Sequence, residues 1–362
     1  MAKQIHEEFG RAVRTRDLDA VAALLADGTI DVGRRVQVTK TRRDLPLNVV
    51  ASADDNQEML RLLLGAGAKI NNRGMLGHTA LMSAAGAGAV TNLETLLAAG
   101  ADPNVRDLGG CDVLWYCVFY ATEVPPEGAA ATALTMIDML IADGRFEVQS
   151  KKSADASSLL FSLHGEDDRL VERCIDFSTA EERSAALEKL VEEGSVGRAR
   201  LVRPHLDSFD PDGLLERIRW GRPEKSLAAV EWLAEEGATL SGDGGARLIF
   251  SAHVNQAPEP ILARLVQLGA ELPPPVLGAT FQTTGLVIAN VLSETAADEA
   301  GLEPGDVLTA IDGNRCGTVD NIRAYLHSRN RGDTVQLRFT RDGVAKTASA
   351  SLTLPVYGTL KF

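Results

Sequence analysis

Aromatic residues make up only 5% of the 362-residue sequence. Small aliphatic side chains must then fill most of the core, which closely packed helices rich in Ala and Leu can do. Cysteine is also scarce. Cys111, Cys117, Cys174 and Cys316 show no CxxC spacing, which argues against a disulfide scaffold and a zinc site. No run of about 18 apolar residues is present, so a transmembrane helix is not expected. Charges interrupt the apolar positions of "MAKQIHEEFGRAVRTRDLDAVAALL", which leaves no signal-peptide core. A cytoplasmic protein is the default expectation.

Catalytic patterns are missing too. There is no G-x-S-x-G elbow, and "SGDGGA" is not followed by the Gly-Lys-Ser/Thr of a phosphate loop. "DSFDPDG", Asp207 to Gly213, lacks the order and the twelfth-position glutamate of a calcium loop. The six histidines, His6, His78, His164, His205, His253 and His327, are scattered, and His78 stands before Thr79 where a solvated polar residue is usual. No enzyme activity, cofactor or metal is expected.

The formal net charge is −13. Residues 274–362 carry 8 Lys+Arg and 9 Asp+Glu, so almost all of the excess, −12, lies before them. An acidic region repels phosphate backbones and excludes nucleic acid as an expected partner. It would favour a basic protein surface. "GRRVQVTKTRR" is a local exception, with Arg34, Arg35, Lys40, Arg42 and Arg43. It reads as a solvated loop, with an anion or acidic-partner patch as the alternative.

The long N-terminal part repeats itself. Gly67-Ala68 returns 33 residues later as Gly100-Ala101, and "GHTAL" from Gly77 returns at the same spacing as "GCDVL" from Gly110. Such a period means stacked supersecondary units. Within one period, Thr79 can cap a helix through "ALMSAAGAG", and "TNLETLLAAG" makes a second helix ending at a glycine. "ADPNVRDLGG" is a turn-rich connection. These units resemble the ankyrin repeat: "GHTALMSAA" stands where that family has G-x-T-P-L-H-x-A-A, and "LLAAGADPN" matches its second-helix end. Weaker units follow in "LPLNVVASADDNQEMLRLLLGAGAKIN", "MIDMLIADGRFEV", "VEWLAEEGATL" and "LARLVQLGAEL". The solenoid is expected over 4–272 with about seven or eight units, degenerate near 150–225. The resemblance implies protein binding through turns and first helices.

After Pro273–Pro275, expected as a linker, the period changes to alternation. Five short strands are predicted in "VLGATFQ", "GLVIANVL", "DVLTAIDG", "TVQLRFTRDG" and "KTASASLTL", with a hairpin turn at "RDG". A helix with Thr318 as cap is predicted in "TVDNIRAYLHSR". In "AGLEPGDVL", Gly301, Pro304 and Gly305 read as a sharp turn feeding a strand. Together these make a small, mainly β, partly open barrel over 276–357, followed by a tail, 358–362. The segment "GLVIANVLSETAADEAGLEPGDVLTAIDGNRCGTVDNIRAYL" resembles the PDZ domains of bacterial serine proteases of the high-temperature-requirement type. Ala296 or Ala297, Ala300, Gly301, Leu302, Gly305, Asp306, Ile311, Gly313, Ile322 and Arg323 carry the match. The protease domain is absent.

By this resemblance, a peptide C-terminus is expected to add a strand between one strand and the helix. Leu277, Gly278 and Ala279 would form the carboxylate loop, Phe281 would share a face with Ala279, and Val319, Arg323 and Leu326 would line the helix side. The family usually has a larger residue where Ala279 stands, which makes the terminal pocket either wide or shallow and inactive. The expected function is a non-enzymatic adaptor or scaffold. An inhibitor or immunity-type protein masking a basic enzyme or toxin, and a regulatory subunit of a separate protease, are the alternatives. The tail "TLKF" is a further candidate occupant of the groove.

Overall fold

The computed structural model describes residues 2–26, 28–123, 127–147, 156–270, 276–282, 286–292, 295–330 and 332–352, without the side chains of residues 2, 3, 243, 250, 253, 254 and 259. The expected linker 273–275 and tail 358–362 lie outside the described residues. Internal contacts divide the chain into two units, Met1–Lys189 with Gly197–Phe209, and Leu190–Val196 with Asp210–Phe362.

In the first unit, helices alternate with loops in pairs. Ala2–Thr15 and Leu18–Ala26 come first, then Pro46–Ala51 and Gln57–Gly65, Ala80–Gly86 and Val90–Ala98, Val113–Thr122 and Ala129–Asp143, and Ser158–Ser162 and Asp168–Asp176. The helices beginning at Ala80, Val113, Ser158 and Asp168 start where a side chain takes up a free N–H group. Thr79 accepts from the N–H of Met82 at 3.3 Å, and Asp112 from that of Trp115 at 3.1 Å. Phe9, Leu60, Leu63, Leu81, Leu93, Leu96, Leu114, Met136 and Ile137 fill one continuous core among Ala80, Ala84 and Ala85.

Polar side chains tie successive repeats together. Asn92, fully buried, accepts from the N–H of Asn56 at 3.2 Å and donates to the carbonyls of Ala51 and Ala53. Asp44, also buried, accepts from the N–H of Leu45 at 2.8 Å and of Met75 at 3.1 Å. Asp44 ends a short hairpin of β1 (Val36–Gln37) and β2 (Arg43–Asp44). Sequence reading expected an open loop there. Strands this short give no readable alternation, and the hairpin is held by side chains such as Arg14, which donates to the Gln37 carbonyl.

The second unit holds the helices Pro211–Leu215, Pro223–Glu235, Gly242–Val254 and Glu259–Gln267, and then the strands. β3 (Ala279–Phe281) pairs antiparallel with β4 (Ile288–Val291). β5 (Val307–Ile311), β6 (Asn314–Arg315), β7 (Thr334–Arg341) and β8 (Val344–Ser351) form an antiparallel sheet in the order β6-β5-β7-β8. The N–H of Leu308 donates to the Leu286 carbonyl at 3.0 Å and that of Ile288 to the Asp306 carbonyl at 2.8 Å, which joins the two sheets. The sheets stay open rather than closing into a barrel. All five predicted strands are present, with β6 in addition. The β7–β8 turn is Asp342-Gly343, both with positive φ, as a two-residue hairpin requires. Thr318 caps the helix Val319–His327 through the N–H of Asn321 at 3.2 Å. A further helix, Ala296–Glu299, was not expected, because four residues cannot show a helical period.

The turn "AGLEPGD" is clasped from a distance. Gly301 and Gly305 have φ of +67° and +98°. The Arg341 guanidinium donates to both Asp306 carboxylate oxygens at 2.7 and 2.8 Å, to Glu303 at 2.7 Å and to the Gly301 carbonyl at 2.8 Å. Asp306 is buried, and its bonds to Arg341 hold its carboxyl below the ordinary carboxylate range.

Candidate peptide-binding groove

All seven residues expected to contact a peptide line one groove of about 380 Å³: Leu277, Gly278, Ala279, Phe281, Val319, Arg323 and Leu326. Val276, Thr280, Leu292 and Ile322 complete it. Ile322 is also buried in the core, as its place on the apolar stripe implied. Leu292 escaped sequence reading, since it follows β4 and only the fold brings it to the groove wall.

The loop leading into β3 is held rigidly. Leu277 accepts from the N–H of Ala297 at 2.7 Å, and Gly278 accepts from that of Leu292 at 2.9 Å. Gly278 has φ +82°, and a Cβ there would stand 2.2 Å from the Thr295 side chain. Thr295 is itself fixed by its hydroxyl donating to the Leu292 carbonyl at 2.6 Å. Only glycine fits this position. Among the described residues, no backbone carbonyl accepts from the N–H of Leu277 or Gly278. One edge of β3 pairs with β4, and no other described strand pairs with it. Such an edge can accept an added strand, and backbone N–H groups beside a close-approach glycine can hold an anion. Ala279 and Phe281 are half-buried on the groove side of the sheet.

The basic stretch is used differently. Arg34, Arg35, Lys40, Arg42 and Arg43 are all exposed. Arg35 donates to the Gly74 carbonyl at 2.9 Å, and Arg42 lies 3.4 Å from Asp44. Arg35 thus ties the β1–β2 hairpin to its surroundings, and Arg42 pairs within it. In "DSFDPDG", Asp210 caps the helix Pro211–Leu215 by accepting from Gly213, and Asp212 accepts from the N–H of Thr239 at 2.6 Å.

His78 departs from the solvated position expected of it. Its Nε2 lies 2.7 Å from the Tyr116 hydroxyl and 3.7 Å from Asp107, and Tyr116 donates to Asp107 at 2.6 Å. Burial depresses the imidazole pKa below 6.5 despite the nearby carboxylates, and burial with the Asp107 bond raises that of the Tyr116 phenol. The three residues span 39 positions, and no spacing rule joins them. Beyond Tyr116, the rings of Trp115, Phe119 and Phe161 stack or tilt at centroid distances of 4.7 to 6.1 Å, all half-buried.

Comparison with known proteins agrees with both halves of this geometry. Residues 9–107 match the family of ankyrin repeats, in three copies, and residues 271–352 match the PDZ domain family. Among curated proteins, the chain is similar to the serine protease Do-like HtrA of Lactococcus lactis subsp. lactis, 36% identical over 70 residues, 19% of this chain and 17% of that protein. It is also similar to the probable periplasmic serine protease do/HhoA-like of Haemophilus influenzae, 36% identical over 59 residues, 16% of this chain and 13% of that protein. A Do-like HtrA of Lactobacillus helveticus is 37% identical over 59 residues, 16% of this chain and 14% of that protein. The chain therefore spans less than a fifth of the length of these relatives. It carries two kinds of protein-interaction module. They are ankyrin repeats and a PDZ domain similar to those of HtrA-type serine proteases, and no protease domain is indicated. Among the described residues, no helix is long and apolar enough to cross a membrane.

Proposed function

We propose that the chain is a non-enzymatic, cytoplasmic adaptor. Its ankyrin solenoid, 4–272, takes a protein partner, and its PDZ domain, 276–357, takes a peptide C-terminus or extended segment by strand addition. The observation that carries this reading is the groove itself. The seven residues expected to contact a peptide line one apolar cleft beside a strand edge that no other described strand occupies.

For the solenoid, support comes from its surface and charge. Leu76 and Leu108 are 58% and 78% exposed on neighbouring loops, with the N–H of Leu108 donating to the Leu76 carbonyl at 3.0 Å. Residues 101–147, which carry Trp115 and Phe119, hold 8 Asp+Glu against 2 Lys+Arg. Exposed apolar side chains in an acidic stretch of sequence suit a basic partner surface, steered in by charge. The same charge pattern favours the inhibitor reading as a second choice, with a basic enzyme or toxin as the masked partner.

The test titrates the full chain against labelled hexapeptides with a free apolar C-terminal residue. Saturable binding is expected, and Val319→Glu, which puts a like charge beside the incoming carboxylate, should weaken it about tenfold or more. Binding that is absent, or untouched by Val319→Glu, overturns the groove as the site.

A further inference from the structure

We infer that Arg323 is the counter-ion for a carboxylate of the bound peptide, and that Asp320 competes with the ligand for it. This rests on the groove reading above. Arg323 alone among the described lining residues carries a charge; the rest are aliphatic, aromatic, Gly278 and Thr280. Its side chain is 69% exposed, and its Nη1 lies 3.5 Å from Oδ1 of Asp320, which is 89% exposed.

The other arginines with bonds in this domain are committed to the fold. Arg341 meets Asp306, Glu303 and the Gly301 carbonyl, and Arg329 meets Asp312 and Tyr325. Among the described residues, Arg323 makes no ion pair or side-chain hydrogen bond besides the one to Asp320. A solvated pair one helical turn apart is weakly held. A guanidinium so held can turn to a better partner at little cost.

A peptide entering the groove brings that partner. Its carboxylate would lose water against Leu277, Val319 and Leu326, and a charge moved beside apolar surface needs compensation. Arg323 stands on the same helix face as Val319 and Leu326, four residues after one and three before the other. Its planar fork can bind a carboxylate through two parallel bonds. With less water around the pair, the attraction exceeds that of the open Asp320 contact. The peptide terminus and an Asp or Glu side chain just before it are two sources of this carboxylate, and the chemistry is shared.

The experiment uses the full chain and hexapeptides ending in Val. One has a free terminus and neutral side chains, one is its terminal amide, and a third and fourth carry Glu or Gln two residues before the end. Each is titrated against the native protein, Arg323→Gln and Asp320→Asn. Arg323→Gln should weaken one carboxylate-bearing peptide about tenfold while leaving its neutral counterpart within about twofold. Asp320→Asn should strengthen that same peptide about twofold. The pair that shows the difference, acid against amide or Glu against Gln, names the source of the carboxylate. Equal effects on charged and neutral peptides, or none, overturn the role of Arg323 and leave the groove reading standing. If the native protein binds none of the peptides, both fall.

Discussion

In the ankyrin repeats, distant backbone is joined by short buried side chains as well as by exposed arginines such as Arg35 and Arg145. Asn92 reaches back about 40 residues to Asn56, Ala51 and Ala53, and Asp44 reaches forward to Met75. The PDZ domain joins comparable distances with one long cation, Arg341, which spans 35 residues to Asp306 and 38 to Glu303. The difference follows from architecture. Stacked helix pairs bring loops of neighbouring repeats within reach of a short amide, and every interface needs its own. In the PDZ domain the clasp falls on the turn before β5, and a guanidinium can satisfy several acceptors there at once.

The strongest way to break this comparison is Asn92→Ala. It strips a partner from the Asn56 N–H and from the Ala51 carbonyl, both at a buried site, and should cost the ankyrin region about 3 kcal/mol. Hydrogen exchange should show protection falling in Pro46–Ala98 while the β5–β7–β8 amides keep theirs. Equal loss in both regions would mean the chain unfolds as one unit.

Arg341→Ala is the converse. It leaves the buried Asp306 carboxylate with the Glu303 N–H as its remaining hydrogen-bond donor among the described residues, and should destabilise the PDZ domain. The urea transition followed by β-sheet amides should move, and the helical one should not. The same pair sets a pH limit. The Asp306 carboxyl titrates lower in the fold than its ordinary 3.8, so the unfolded chain binds the proton first. Stability from this pair is complete above about pH 4 and is lost as pH falls through the folded value. The acid sensitivity of the β-sheet transition should be visibly flatter in Arg341→Ala than in the native protein.

In the repeats the titrating group is His78, and it acts in a different pH window. Its pKa is lowered by burial, so again the unfolded chain binds the proton first. That contribution is complete above about 6.5 and is lost as pH falls below it. The helical transition should weaken between pH 7 and 5, where the β-sheet transition stays flat, and His78→Gln should remove this slope. The smallest effect belongs to Tyr116→Phe, which deletes the hydroxyl between His78 and Asp107 and should cost about 1 kcal/mol at pH 7 in thermal melts.

The groove residues were readable because strand alternation and helical spacing each place a side chain on a known face. Ala279 and Phe281 are two apart on a strand, and Val319 and Leu326 are two turns apart on a helix. Leu292 could not be chosen this way, since it stands beyond a strand end where no period extends. His78 was misplaced for the same reason. Its loop position implied water, but its surroundings are set by Tyr116, which belongs to the next repeat.

What the sequence alone determined is the set of local periods: a 33-residue repeat, a two-residue alternation, the caps at Thr79 and Thr318, and the glycine turns around Asp306. These depend on a residue and its near neighbours, so they are written in order along the chain. Only the tertiary structure decided which distant groups meet. Arg341 with Asp306, Asn92 with Asn56, and Thr295 against Gly278 are pairings between segments that carry no mark of one another. Their contacts arise when apolar faces bury together, and the burial that brings the polar atoms into contact also makes each pairing necessary.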